Sequence, residues 1–417
     1  MFLQHRSPKK SQKAMTTRRI HIDNMLLTQI DQKQKQIGEY LLNNNLDFTN
    51  TVGVIDGLAG VCLILSLYYR HTSDEKYLDK LNQTICLINN KIDAGKDIVS
   101  SYAQGIAGYA WTIIYLKEND LIDVNLEDSL FEIDDFLYRS MKSMIKTKEY
   151  DSLHRAIGIG YYFLKRGNYK AVENIIDGLY KDRIKIHGTD TWNRKHVLND
   201  NSVLVVDFGF AHGLPGILLF LYKCLLKHIS TEKCHEMITD NISFIVNYLN
   251  LTGVPSCFPN WIECDKMLQW NSKRNLSGLA WCYGDLSALY VFLQLSANFS
   301  IHMDINLLLE EISKRKIYAE TEINDVGLCH GNSGIAHIFY RLFLKTGNKC
   351  FEDACNYWLE KVILKGNNPD GVVGFLFPKN HHNQPLDLLT GISGIGAMFL
   401  SISNPDLVNW DEAMFLS

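Results

Sequence analysis

Seven short glycine-centred boxes recur along this 417-residue chain, and a repeat of that kind fixes an architecture before any single residue is weighed. Five are complete: Asp56-Gly-Leu-Ala-Gly60, Gln104-Gly-Ile-Ala-Gly108, His212-Gly-Leu-Pro-Gly216, His330-Gly-Asn-Ser-Gly334 and Thr390-Gly-Ile-Ser-Gly394. Two are degenerate, with Arg155 in place of the first glycine and Ser287 in place of the second. Counted from positions 57, 105, 155, 213, 284, 331 and 391, the spacing runs from 47 residues (284 to 331) to 71 (213 to 284), enough for two helices per repeat. A run that is apolar almost all round follows each box and predicts a helix buried on most sides. Most runs are followed by a segment with apolar positions three or four apart, as in 77–88 and 236–249, which predicts an outer helix with one wet face. The expectation is an all-α fold of two concentric layers, inner helices facing one another and outer helices shielding them. A glycine pair at the start of each inner helix suits a place where backbones approach closely.

Composition agrees with a large buried core: 46% of residues are hydrophobic and 21% charged. Only 8 are proline, which favours long helices. A net charge of -4 offers no broad footprint for nucleic acid, and no apolar run is long enough to span a bilayer, so neither nucleic acid nor an integral membrane segment is expected. Residues 1–20 are basic and lack the apolar stretch of a secretory signal; they read as a disordered lead-in to a single domain over 21–417, and the expected location is cytoplasmic. Within that domain, the proline- and aromatic-bearing stretch around 253–275 reads as a loop over the active face. Ten cysteines in such a chain are free thiols or metal ligands rather than a disulfide framework.

Equivalent positions of a repeat stand at equivalent heights, so polar residues flanking several boxes point into one mouth. Immediately before the first box position stand Asp56, Gln104, His212, Tyr283, His330 and Thr390; one residue earlier stand Cys282 and Cys329. Cys282, Cys329 and His330 make a Cys₂His set, the composition of a catalytic zinc site with one open position. Other pairings, such as Cys224 with His228 on a buried helix or His381 with His382 in a polar stretch, read as structural or solvated residues.

The ordered motifs AHGLPG, WCYG and LCHG, set among seven phased boxes over about residues 46–402, resemble the lanthionine synthetase C-like cyclase family. The resemblance implies a double-layered α/α toroid of seven inner and seven outer helices with zinc at its central mouth. It also implies closure of thioether rings, by addition of cysteine thiols across dehydroalanine or dehydrobutyrine in a ribosomally made peptide. Carried over residue by residue, Cys282, Cys329 and His330 would hold zinc, His212 would be the acid/base histidine, Asp151 the carboxylate preceding the third box, and Tyr283 the tyrosine after the first zinc cysteine. The implied partners are a dehydrated precursor peptide and a separate dehydratase.

The chemistry needs these residue types. A free thiol is mostly protonated at neutral pH and zinc deprotonates it; a histidine suits the proton transfer that completes the addition. Two departures stand out. Family members usually carry an arginine four residues before the first zinc cysteine, where this chain has Gly278, and Arg155 in the third box is a candidate to restore that positive charge beside Asp151. Two other readings share the same motifs: an enzyme adding glutathione or another small thiol to dehydrated protein residues, and a non-catalytic zinc-containing peptide-binding module.

Overall fold

The computed structural model describes residues 18–47, 51–95, 98–198, 200–249, 256–270, 277–317, 321, 323, 325–377 and 385–417. Most of the basic lead-in, 1–17, lies outside them, as do 253–255 and 271–275 of the stretch read as a loop. The chain is mostly helical, as the boxes predict, and divides into two compact units: Met1–Tyr138 with Asp325–Leu328 and Tyr340–Ser417, and Arg139–Asn324 with Cys329–Phe339.

Each box opens a helix: Leu58–Thr72, Ile106–Glu118, Ala156–Arg166, Leu214–Leu226, Asp285–Leu295, Asn332–Thr346 and Ile392–Ser403. In the first unit, every residue from Leu58 to Tyr68 and from Ile106 to Leu116 is buried. That burial is the main stabilising contribution, roughly 1.5–3 kcal/mol for each large apolar side chain. In the second unit, Ala156–Arg166 packs on Tyr169–Lys181, Leu214–Leu226 on Thr231–Val246, and Asp285–Leu295 on Ile305–Ser313. The second helix of each pair buries one stripe only, such as Ala171, Val172, Ile175, Ile176 and Leu179 of Tyr169–Lys181.

The two kinds of helix start differently, and the difference is written in the sequence. Three of the half-buried helices are capped by side chains, where Asp74 accepts from the Lys76 amide at 3.1 Å, Asn168 from Ala171 at 3.2 Å and Asp304 from Leu307 at 3.0 Å; Thr231–Val246, after Ser230, is not. The boxed helices have no side-chain cap at Gly57, Gly105, Arg155, Gly213, Gly284 or Gly391. Instead the chain curls back so that the first helical amide donates to a carbonyl seven residues earlier: Leu58 to Thr51 (3.2 Å), Ile106 to Val99 (2.9 Å), Ala156 to Glu149 (3.2 Å), Asp285 to Gly278 (3.0 Å) and Ile392 to Pro385 (2.7 Å).

That curl explains the second glycine. A Cβ at Gly60, Gly108, Gly216 or Gly394 would meet the carbonyl oxygen of Val54, Tyr102, Phe210 or Leu388 at 2.5, 2.0, 2.2 or 2.1 Å, in each case the residue six earlier. The box position taken by Arg155 has an extended backbone, φ -128° and ψ -153°, which any residue adopts, so arginine fits there.

Among the described residues five short strands depart from the all-helical pattern, and all lie in the second unit. Ile184–Ile186 (β1) and Thr189–Thr191 (β2) form a hairpin whose turn residues His187 and Gly188 both have positive φ, 50° and 84°, the requirement of a type I′ turn. Arg194–Leu198 (β3), Asn201–Asp207 (β4) and Trp261–Glu263 (β5) form an antiparallel sheet in the order β3-β4-β5. β5 and the 3₁₀ turn Cys264–Gln269 occupy the described part of the predicted loop.

Beside it, the buried carboxylate of Asp285, the first helical residue after Gly284, receives the Cys257 amide (2.7 Å), the Phe258 amide (2.9 Å) and the Arg315 guanidinium (2.6 Å). Removing one partner of a buried ion pair strands the other charge, at a cost of about 3–5 kcal/mol. Asp285→Ala is therefore expected to lower the stability by that amount, read as a fall in the midpoint of denaturant unfolding. An unchanged midpoint would show that the pair stabilises nothing.

Candidate active site

The site residues sit on the loops that enter the boxes of the second unit, and backbone hydrogen bonds stitch those loops together. Ala211 donates its amide to the Cys282 carbonyl at 3.1 Å, and Trp281 and Cys282 donate theirs to the Cys329 carbonyl at 2.8 and 3.4 Å. His212 follows Ala211 and His330 follows Cys329, so three loops far apart in sequence bring the flanking positions of three boxes to one place. Cys282, Cys329 and His330 are each half-buried there.

His212 pairs through Nδ1 with Oδ2 of Asp151. The other carboxylate oxygen, Oδ1, accepts the amides of Leu153 (2.9 Å) and His154 (2.7 Å), so Asp151 both caps the turn into the third box and holds the imidazole. Burial pulls the His212 imidazole down, but the Asp151 hydrogen bond and charge outweigh it and leave it above the ordinary histidine value. Burial pushes Asp151 up and the same bond more than reverses that, leaving it below the usual carboxylate range. The His154 ring lies parallel to that of His212, centroids 6.1 Å apart; burial holds His154 below its ordinary value.

The Cys282 and Cys329 thiols share a hydrogen bond, which, against the opposing effect of burial, holds Cys282 below the usual thiol value. Among the described residues no three of His, Cys, Asp and Glu are grouped to hold a metal ion. The structure thus brings the two sulfurs together without assembling a three-ligand set. Two adjoining soft donors fit the thiolate half of a Cys₂His zinc site.

Tyr283 lies with its ring 5.8 Å from that of His212. Its hydroxyl donates to Oδ2 of Asp207 at 3.1 Å and accepts from Nη2 of Arg194 at 2.8 Å. Arg194 and Asp207 also pair directly, Nε to Oδ2 at 2.6 Å. Neither residue is flagged by box spacing. In the β3-β4 register Arg194 faces Val205, which puts Asp207 on the diagonal of the same face. The sequence carries no short-range signal for either: 194–198 (RKHVL) and 201–207 (NSVLVVD) lack the polar-apolar alternation of a hairpin.

A cleft of about 610 Å³ is lined by His212, Asp151, His154, Arg155, Arg194 and Asp207, among others. Of its arginines, Arg155 pairs loosely with Glu149 (3.6 Å, both side chains nearly half exposed), whereas Arg194 is held on Asp207 and Tyr283. Gly278 presents no side chain; its backbone bridges to Gly284. In the first unit the corresponding box positions carry Asp56, Gln104 and Thr390. Gln104 donates to Asp56 at 3.4 Å, and burial together with the charge of Asp387 pushes the Asp56 carboxyl up to about 7.

Residues 50–415 match the lanthionine synthetase C-like protein family. The chain belongs to this family. The curated relative "Nisin biosynthesis protein NisC" of Lactococcus lactis subsp. lactis is 24% identical over 356 residues, covering 80% of this chain and 84% of that protein. A solved structure titled "Nisin cyclase" superposes with a TM-score of 0.69 at 18% identity, covering 94% of this chain and 98% of its own. That likeness shows the fold, a helical toroid. In this chain the boxed helices are accompanied by the strands that carry Arg194 and Asp207. No helix among the described residues is long and apolar enough to cross a membrane.

Proposed function

We propose that this protein is a zinc-dependent cyclase that adds cysteine thiols across dehydroalanine or dehydrobutyrine to form thioether rings in a ribosomally made peptide. The observation that carries the reading is the Asp151-His212 pair on a loop bonded by its backbone to Cys282, which in turn is bonded to the loop of Cys329 and His330. Membership of the lanthionine synthetase C-like family supports the same class of chemistry.

Cys282, Cys329 and His330 would hold the zinc, which when bound supplies the substrate thiol in its nucleophilic, deprotonated form. The remaining steps are proton and charge management by the protein. With Nδ1 committed to Asp151, Nε2 is the His212 nitrogen left to move a proton. As the sulfur bonds to the β-carbon, the double-bond electrons shift toward the neighbouring carbonyl, and protonated His212 delivers a proton to the α-carbon. The thiol proton is lost and one is gained at carbon, so the peptide mass is unchanged. Asp151 fixes the ring tautomer and favours the imidazolium, and Tyr283 lies beside the same imidazole. Arg155 and His154, on the cleft wall, are assigned to contact with the peptide.

The test uses a dehydrated precursor peptide made by a separate dehydratase. The expected result is loss of alkylatable thiol at unchanged peptide mass, with one zinc bound per chain. An increase by the mass of glutathione, with peptide thiols intact, would assign the chain to small-thiol addition. Bound zinc with no reaction of either kind would leave only a binding role.

A further inference from the structure

The residues that bracket the site laterally come from outside the glycine boxes. Arg194 stands on β3 and Asp207 at the end of β4, in the stretch between the third and fourth boxes. Asp207 is buried and uses both oxygens: Oδ2 binds Arg194 and the Tyr283 hydroxyl, and Oδ1 accepts the Gly209 amide at 2.7 Å, three residues before His212. A Cβ at Gly209 would stand 2.5 Å from Cδ1 of Tyr283, so the tyrosine ring lies directly on the backbone of the loop that carries His212. Arg194 spends its remaining donors on the Tyr283 hydroxyl and on the Lys195 carbonyl at 3.1 Å.

We propose that Arg194 is a positioning residue for the reaction: through Asp207 it clamps the Tyr283 phenol and the Gly209–His212 loop together, fixing His212 relative to Cys282. This rests on the cyclase reading. The arrangement is over-determined for a surface ion pair, since one buried carboxylate ties two loops and one guanidinium bridges carboxylate and phenol. Charge-assisted bonds of this kind are directional and strong enough to hold a ring in one orientation. Arg194 also lines the cleft, so the clamp lies at the wall along which a peptide would reach His212.

The experiment is a kinetic double-mutant cycle on the full chain with a dehydrated peptide, using Arg194→Gln, Tyr283→Phe and the pair combined, alongside Arg194→Lys. Expected are a fall in kcat of roughly 10- to 100-fold for Arg194→Gln, the range a misplacement of about 1 Å produces, with KM within about threefold, and partial recovery in Arg194→Lys. The combined variant should be no slower than the slower single one, because both changes break the same clamp. Where Arg194→Gln alone fails to fold by stranding Asp207, the charge-neutral pair Arg194→Gln with Asp207→Asn takes its place in the cycle.

A readout free of turnover is ¹⁹F NMR of 3-fluorotyrosine at position 283, whose resonance should move in Arg194→Gln and move less in Arg194→Lys. Fully additive slowing, a Tyr283→Phe variant as fast as the parent, or an unmoved fluorine resonance each overturns the proposal. If the parent protein itself forms no thioether, the cyclase reading fails, and the fluorine resonance alone decides whether Arg194 holds Tyr283.

Discussion

His212→Ala is expected to slow ring closure by on the order of 10² to 10⁴, the usual contribution of a positioned general acid or base, while the protein still folds and binds metal. The side chain is partly exposed at the cleft, so the stability lost should be limited to what its pair with Asp151 contributes. The measurement is the rate of thiol loss from a dehydrated peptide at fixed zinc occupancy; a variant within threefold of the parent would remove His212 from the mechanism. The Asp151 pair also sets a pH signature. Because Asp151 holds the imidazolium above the ordinary histidine value, the acid form persists further into alkaline solution, and the rate should fall as pH rises through that raised value. Asp151→Asn removes the charge that raises it, so this alkaline limb should move to lower pH. The same pair contributes stability between two limits. It is lost as pH falls through the lowered Asp151 value and as pH rises through the raised His212 value.

The second large effect is expected at the sulfurs. Cys282→Ala or Cys329→Ala removes one of two adjoining donors, and bound zinc should drop from one per chain to near zero, with thioether formation falling below detection. Zinc content by mass spectrometry or atomic emission checks the first, and the thiol assay the second. Chelation of the parent protein should reproduce the loss, and added zinc should restore it in the parent but not in either variant. A Cys329→Ala protein that retained full zinc would exclude the proposed ligand set. Because the loops are also joined through the Cys329 carbonyl, which no side-chain change removes, the fold around the site should survive both substitutions.

How much of this could be read from the sequence follows from which interactions are local. The boxed helices were legible because the curl that starts them is a seven-residue event, stamped in glycine pairs and followed by unbroken apolar runs. Cys282, His212 and Cys329 were legible because each stands at a fixed offset from its box, so register along the chain predicted proximity in space. Asp151 was legible as a carboxylate near its turn, although whether it would cap the turn or hold the histidine was open; its two oxygens do one each. Arg194 and Asp207 were not legible. Their pairing depends on a strand register and on Tyr283, 76 residues beyond Asp207, and no short-range pattern encodes either. Arg155, the positive charge that its box places near Asp151, shares the cleft and pairs loosely with Glu149. The short strands were missed for a related reason: they break a repeat that is otherwise helical, and their turn residues are few.

Because a bond between backbone groups closes the curl, the side chain standing just ahead of the first box position is not needed for that bond, and Asp56, Gln104, Tyr283 and Thr390 are mounted on the same kind of bracket. Such a bracket is a socket into which reactive groups can be exchanged singly. A redesign that swaps Gln104 for a new acid, base or ligand changes the tool and leaves that handle alone, whereas at Thr390 it would also lose the hydroxyl's bond to Asp387.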